Sequence, residues 1–398
     1  MARIFEGIRV VDISTNTGGA WCARMLADYG ADVICVEPRE GHPLRALAPF
    51  TDEGASIPAA YLLANKRAVA LDLDVPRSRK HAIDLCRRAD IVISSHSPSH
   101  LEAIGMTHAA LGKPGIIMVH VTPHGMTGDL AEVPGNDLTD AARSGWASIN
   151  GSQEREPLKP SGWQSSMCAG VVAYAGAVAA LRWRDAHPGE GQEVDVAEIE
   201  VMAAAFAPAF LRSVYAGSPQ SRRDSADLMA GPVPVQDGHF ALTLSRAHFW
   251  RDAMNLLGLP DLAEDPRWGA SFYRQAHKDE YVDRVTEAMS TWKKMDLFDE
   301  LAVRRVVAGP VLTMEELRAV EHFRERGFWR APANAPDGPE YPGPALRMMA
   351  TPATLDRRPP RLGEHSFDVL RTVNGITDDH LLTLYESGVI GPKEEGGR

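Results

Sequence analysis

The run IRVVDISTNTGGAWCARMLADYGADVICVEP, residues 8–38, decides the fold class. IRVVDIS (8–14) is apolar and β-branched, TNTGGA breaks it with turn residues, AWCARMLADYGA carries apolar residues at helical spacing, and DVICVEP (32–38) reads as a second buried strand. Strand, helix and strand in this order form a βαβ unit, whose two strands run parallel. The alternation continues through RAVALDLD (67–74), the helix VPRSRKHAIDLCRRA (75–89), DIVISSH (90–96) and GIIMVHVTP (115–123). Short apolar strands alternating with helices predict an α/β fold with a mostly parallel sheet covered on both faces.

Working outward, the stretch from Cys168 to about Phe210 reads as two buried helices separated by a Gly-rich turn and a short strand. From Asp237, DGHFALTLS is a strand, and HFWRDAMNLLG, DEYVDRVTEAMSTW and MDLFDELAVRR are helices, which predicts a smaller α+β domain. The Pro- and Gly-rich run RAPANAPDGPEYPGPA (330–345) reads as a linker, and two helices follow it. The expected division is a large domain of residues 1–215 and 340–398, a small domain of 226–328, and linkers at 216–225 and 329–339.

At 398 residues and 44% hydrophobic, the chain is large enough for two cored domains. Its net charge of −11, from 53 acidic and 42 basic residues, offers no general attraction to nucleic acid or an anionic membrane. Cys22, Cys35, Cys86 and Cys168 form no CxxC pair, so neither a zinc cage nor a disulfide framework is expected, and a reducing cytoplasm fits them. No signal-peptide block opens the chain, and the apolar run AGVVAYAGAVAAL (169–181) is too short to span a bilayer.

Three local patterns carry possible chemistry. STNTGGA has the makings of a phosphate loop at a helix N-terminus but lacks the GxGxxG spacing, and a plain βα turn explains it equally. His96 and His100 are four apart, yet Pro98 lies between them and no acidic ligand pair is near, so no metal is expected. GWQSSMCAG (162–170) does not match G-x-S-x-G, which argues against a serine hydrolase; Ser165 and Ser166 are expected to cap the Ala-rich helix that follows.

Taken together, ARMLADYGADVICVEPREGHPLR, LANKRAVALDLDVP, ADIVISSHSPSHLEAIGM, GNDLTDAARSG, AVAALRWRDAHPGEGQEVDVAEIE, AGPVLTMEEL and LGEHSFDVL follow the order of the class III CoA-transferases. The chain resembles that family, which includes formyl-CoA transferase, carnitine-related CoA-transferases and α-methylacyl-CoA racemase, over essentially its whole length. The resemblance implies a Rossmann-like large domain, a small domain, and two subunits threaded through each other as interlocked rings. It implies a coenzyme A thioester as substrate, with no permanently bound cofactor. In the family an aspartate attacks the thioester and passes CoA through anhydride and aspartyl-CoA intermediates, for which a carboxylate is suited because its mixed anhydride can be reopened.

The family places that aspartate four residues before a glycine at the head of the apolar helix. Counting back from Gly170 gives Ser166, beside which no base is evident. The family's CoA-facing Asn-Phe becomes Ser95-His96, a nearby basic residue becomes Ala103, and a frequent lysine becomes Asp74. The glycine-rich loop becomes SADLMAGPVPV, and the racemase histidine position is Asn136, before Asp137. Residues that could still meet CoA are Asn16, Thr17, Gly18, Arg39, Leu71, Ser95 and His96, with Arg45 as a further phosphate contact. The favoured expectation is a subunit lacking the nucleophile, paired with an aspartate-bearing paralogue as in benzylsuccinate CoA-transferases. The alternatives are an active transferase with an atypical site and a non-catalytic acyl-CoA-binding homodimer.

Overall fold

The computed structural model describes residues 3–222, 231–244, 246–344 and 346–391. The chain divides into two compact units, one of Met1–Gln220 with Gly327–Arg398 and the other of Ser221–Arg326.

In the larger unit, β1 (Arg9–Asp12), α1 (Thr17–Asp28) and β2 (Asp32–Glu37) form the βαβ unit. They lead to β3 (Arg67–Ala70), α2 (Pro76–Arg87), β4 (Ile91–Ser94) and β5 (Ile117–Thr122). Helices α3 (Asp137–Arg143) and α4 (Gln164–Ala186) precede β6 (Gln192–Ala197), and α5 (Glu198–Ala205) and α6 (Ala207–Ala216) follow it. The six strands are ordered β3-β2-β1-β4-β5-β6 and every neighbouring pair is parallel. Between β1 and β4 the order of connection reverses, leaving a crevice beyond the carboxyl ends of those strands where open α/β sheets take their ligands.

Strands β1–β5 are buried on both faces, which explains their apolar runs, whereas the edge strand β6 is polar and exposed over its first four residues apart from the half-buried Val194. Val10, Ile91 and Ile93 point to the side covered by α1 and α4, while Val11, Ile34 and Val92 point to the opposite side, against Leu85 and Cys86 of α2. Small residues let α4 lie close on α1. A methyl group built at Gly170 would sit 2.6 Å from the carbonyl oxygen of Gly18, and Ala169, Ala173 and Ala177 are fully buried beside it. Helix α4 is long and apolar enough to cross a membrane, contrary to the expectation from 169–181, because Gln164–Cys168 and Arg182–Ala186 extend that run at both ends. Its alanine stripe is part of the core.

The smaller unit contains an antiparallel sheet of β7 (Val233–Val235), β8 (Gly238–Thr243) and β9 (Val307–Pro310). Helices α7 (Ala247–Leu256), α8 (Val282–Ser290) and α9 (Lys294–Val303) enclose its core of Phe240, Trp250, Trp268, Tyr281 and Leu297. The buried Arg274 donates to the carbonyl of Leu244 at 2.9 Å and lies over the Trp250 ring, so its charge is held by carbonyl and π partners.

After this unit the chain returns. Within the run read as a linker, Trp329–Arg330 pairs antiparallel with Tyr341–Pro342. The terminal helices α10 (Ser366–Thr372) and α11 (Asp378–Glu386) place Val369, Leu370 and Leu381 against Val69 and Leu71. The same segment satisfies the outer edge of β3. Ala68 donates to His365 Nδ1 at 3.2 Å, Ala70 to Ser366 Oγ at 3.0 Å, and the His365 N–H returns to the Ala68 carbonyl at 2.9 Å.

Candidate active site

A cleft of about 540 Å³ opens at the switch point of the large sheet. Thr15, Asn16 and Thr17 reach it from the β1 loop, Ser95 and Ser97 from the end of β4, and Thr122 and Pro123 from the end of β5. Asp137, Trp163, Ser166 and Glu198 complete the wall. It is built on rigid element ends, as ligand sites in open α/β folds are.

Asn16 caps α1, its side-chain oxygen accepting the Gly19 N–H at 2.9 Å. Its amide nitrogen donates to the Val121 carbonyl at 2.9 Å and to Glu198 Oε1 at 3.1 Å, which ties the β1 loop to β5 and α5. A methyl on Gly18 would meet Glu198 Oε1 and the Ser166 carbonyl, both at 3.0 Å, so this position requires glycine for the close approach of three elements.

Ser166 lies in the first turn of α4, and its hydroxyl donates to Glu198 Oε2 at 3.0 Å. This corrects the expectation that no base stands beside it. The partner comes from the head of α5, 32 residues further along the chain. The expectation that Ser165 and Ser166 cap the helix is also overturned. Trp163 occupies the cap position without a side-chain bond, and Asp137 Oδ1 accepts the backbone N–H groups of Ser165 at 2.8 Å and Ser166 at 3.3 Å. A carboxylate caps better than a hydroxyl here because it also meets the positive end of a 23-residue helix dipole and the ammonium of Lys159 at 3.2 Å.

Behind Glu198 lies Asp140, fully buried, neither oxygen of which has a hydrogen-bond partner among the described residues unless a carboxyl proton supplies one. Burial, then the adjoining Asp140, pushes the Glu198 carboxyl up to about 9, so it holds a proton at neutral pH. Burial raises Asp140 as well. Two carboxyls in one buried site share a proton more readily than they both ionise, and a proton between them is the donor that Asp140 otherwise lacks. The His124 imidazole adds a nearby favourable charge interaction to Asp140, and its Nε2 is itself buried without a hydrogen-bond partner among the described residues.

The other residues named from the sequence are distributed as follows. Asn16, Thr17 and Ser95 line the cleft, and Gly18 sits directly beneath it. Ser95 Oγ accepts the Thr15 N–H at 2.8 Å. The His96 ring lies 4.7 Å from that of His100, and burial with that neighbour lowers its pKa to about 4, so it is neutral. Leu71 is fully buried in the core. Arg39 Nε donates to the Gly391 carbonyl at 3.1 Å. Arg45 grips the buried Glu37 with two hydrogen bonds, at 2.7 and 3.1 Å, and donates to Pro360, so a structural role accounts for it. Asp74 and Ala103 are exposed. Asn136 caps α3 through a reciprocal pair with Thr139. Residues 225–230 of the run SADLMAGPVPV (225–235) lie outside the described residues, as do 223–225 of the expected 216–225 linker.

A Rossmann-type sheet whose switch-point cleft is lined by hydroxyl, amide and carboxyl groups defines an α/β enzyme architecture for a polar ligand. The sequence matches the family model CoA-transferase family III over residues 5–366, and the chain belongs to that family. It is 32% identical to the succinate–glutarate CoA-transferase of Agrobacterium fabrum, over 93% of this chain and 96% of that one. It is 31% identical to the subunit BbsE of succinyl-CoA:(R)-benzylsuccinate CoA-transferase of Thauera aromatica, over 93% of this chain and 94% of that one. A CaiB/BaiF family protein from Brucella suis has the same fold, with a TM-score of 0.85 at 28% identity, over 94% of this chain and all of that one.

Proposed function

We propose that this chain acts in the transfer of CoA between an acyl-CoA and a carboxylic acid as the subunit without the family aspartate, interlocked with an aspartate-bearing paralogue in the cytoplasm. The observation that carries this reading is the state of position 166. A serine stands there with its hydroxyl donated to Glu198, so no carboxylate at that position can form the mixed anhydride the exchange requires. The commitment of Arg45 to Glu37 agrees with a weakened grip on CoA phosphates.

A surface suited to a partner supports the pairing. Helix α6 buries none of its residues, and Phe210, Val214 and Tyr215 are 67%, 61% and 85% exposed. They lie next to a second cleft of about 450 Å³ lined by Ile149, Phe206 and Phe210. Exposed apolar side chains grouped on one helix are the kind of surface a partner covers, which supports this reading. The named role of BbsE as a subunit points in the same direction.

The test is co-expression with an aspartate-bearing paralogue, followed by an assay for acceptor acyl-CoA formation. The pair is expected to exchange and this chain alone is not. Exchange by this chain alone means a self-sufficient transferase, and a homodimer that binds acyl-CoA while leaving the paralogue's rate unchanged means a binding protein. Either result overturns the proposal.

A further inference from the structure

We propose that Ser166, Glu198 and Asp140 form a nucleophile, base and positioning residue that hydrolyse acyl-CoA thioesters in this chain's own cleft. For its substrate class alone, this rests on the CoA reading above.

Three observations carry it. The Ser166 hydroxyl is aimed at Glu198 Oε2 at 3.0 Å, and both residues line the cleft, so the nucleophile and its proton acceptor face the same ligand space. Glu198 is fixed from its other oxygen by Asn16 at 3.1 Å, so it can turn neither toward solvent nor away from the serine. Asp140, fully buried, shares a side-chain hydrogen bond with Glu198 and so supplies an alternative seat for the Glu198 proton. A bond made only for packing would not need that second acid, because burying a second carboxyl beside the first is costly. Serine with a buried acid pair has a clear use: when the shared proton resides on Asp140, Glu198 is a base.

In the first step Ser166 Oγ bonds to the thioester carbonyl carbon and its proton moves to Glu198. The carbon–sulfur bond then breaks, and CoA leaves as the thiol with the proton returned by Glu198. This leaves an acyl ester on Ser166. A water molecule bonds to the ester carbonyl as Glu198 takes its proton, the bond to Oγ breaks, and Oγ recovers that proton. One water is consumed, and a carboxylic acid and CoA thiol are released. Unlike CoA exchange, this route does not require CoA to reopen an ester, the step for which serine is poorly suited.

The experiment treats the purified full chain with a fluorophosphonate and, in parallel, with succinyl-CoA without an acceptor acid, and identifies adducts by peptide mass spectrometry. A single phosphonate on Ser166 is expected, forming faster as pH rises from 7 to 9. Glu198→Gln should slow labelling at least about 100-fold. Asp140→Asn should move the pH profile to lower pH, because the charge that raises Glu198 is removed; a merely structural Asp140 would change the extent without moving the profile. Ser166→Ala, a small change whose folding is checked by thermal melting, should abolish both labelling and CoA thiol release. An unlabelled Ser166 at pH 9 in folded wild-type chain, or equal labelling of Glu198→Gln, overturns the proposal. Calorimetric CoA binding without Ser166 labelling overturns the nucleophile while leaving the CoA reading intact. Labelling without thiol release from succinyl-CoA overturns the thioester as substrate.

Discussion

Asp137 holds the start of the apolar helix by accepting the backbone N–H of Ser165 at 2.8 Å. The bond joins α3 to α4 across 28 residues and sets the pitch at which the Ser166 side chain leaves the helix. Replacing Asp137 by Ala removes this cap and leaves two amides in a buried turn. A loss of about 1–2 kcal/mol is expected in urea unfolding, with a smaller loss for Asp137→Asn, which retains an acceptor.

The tight crossing of α1 and α4 makes a second expectation. In Gly170→Ala the new methyl would meet the Gly18 carbonyl at 2.6 Å and the Trp21 ring at 2.9 Å, and backbone cannot yield as a flexible side chain does. Destabilisation of about 1–3 kcal/mol is expected. Because Gly18 also borders Ser166 and Glu198, the serine–glutamate bond should lengthen in a crystal structure of the variant.

Stability should depend on pH through Glu198. A carboxyl raised on folding stabilises the fold fully below its unfolded value of 4.5, and that contribution falls away as pH rises through the folded value of about 9. Glu198→Gln keeps the shape and a donor toward Asp140 but removes the titration. The wild type should therefore lose stability relative to this variant between about pH 5 and about pH 9, as read from urea midpoints. Parallel curves would mean that the glutamate is not held protonated.

The exposed face of α6 predicts an assembly that charge can break. Phe210→Glu combined with Tyr215→Glu places two carboxylates on residues 67% and 85% exposed in the single chain, so its fold should be unaffected. Light scattering should show that the double variant no longer forms the complex that the wild type makes with an aspartate-bearing paralogue, while the melting curve of the individual chain is unchanged. A wild-type chain that forms no complex with an aspartate-bearing paralogue at micromolar concentration contradicts the paired-subunit reading.

What could be read in advance follows from the range of the forces involved. The large sheet was legible because strands buried on both faces carry apolar runs with no alternation, as VICV within β2 and IVI within β4 do. The position of Ser166 was legible from its spacing to Gly170, which the helix crossing demands. Its partner was not, because Glu198 sits in the charged run QEVDVAEIE, where it resembles any solvated acid; only the parallel placement of β5 beside β6 brings it to the cleft. The capping role was misassigned for a similar reason. Serine is a good local cap, but a carboxylate 28 residues upstream displaces it through tertiary structure. Arg45 is ambiguous in sequence because its partner, Glu37, is a strand residue whose burial depends on the whole sheet.

The return of residues 354–391 to the edge of β3 has a consequence for how the chain is made. Strand β3 is synthesised early, yet the groups that close its outer edge, His365 and Ser366, follow their partners on it by 297 and 296 residues. During translation the first βαβ units therefore wait with one edge open while the intervening unit emerges and condenses. Such distant pairings slow folding, and an open strand edge invites pairing with another chain. Nascent chains stalled before residue 354 should recruit chaperones or cross-react with one another, and release of the last helices from the ribosome should end that exposure.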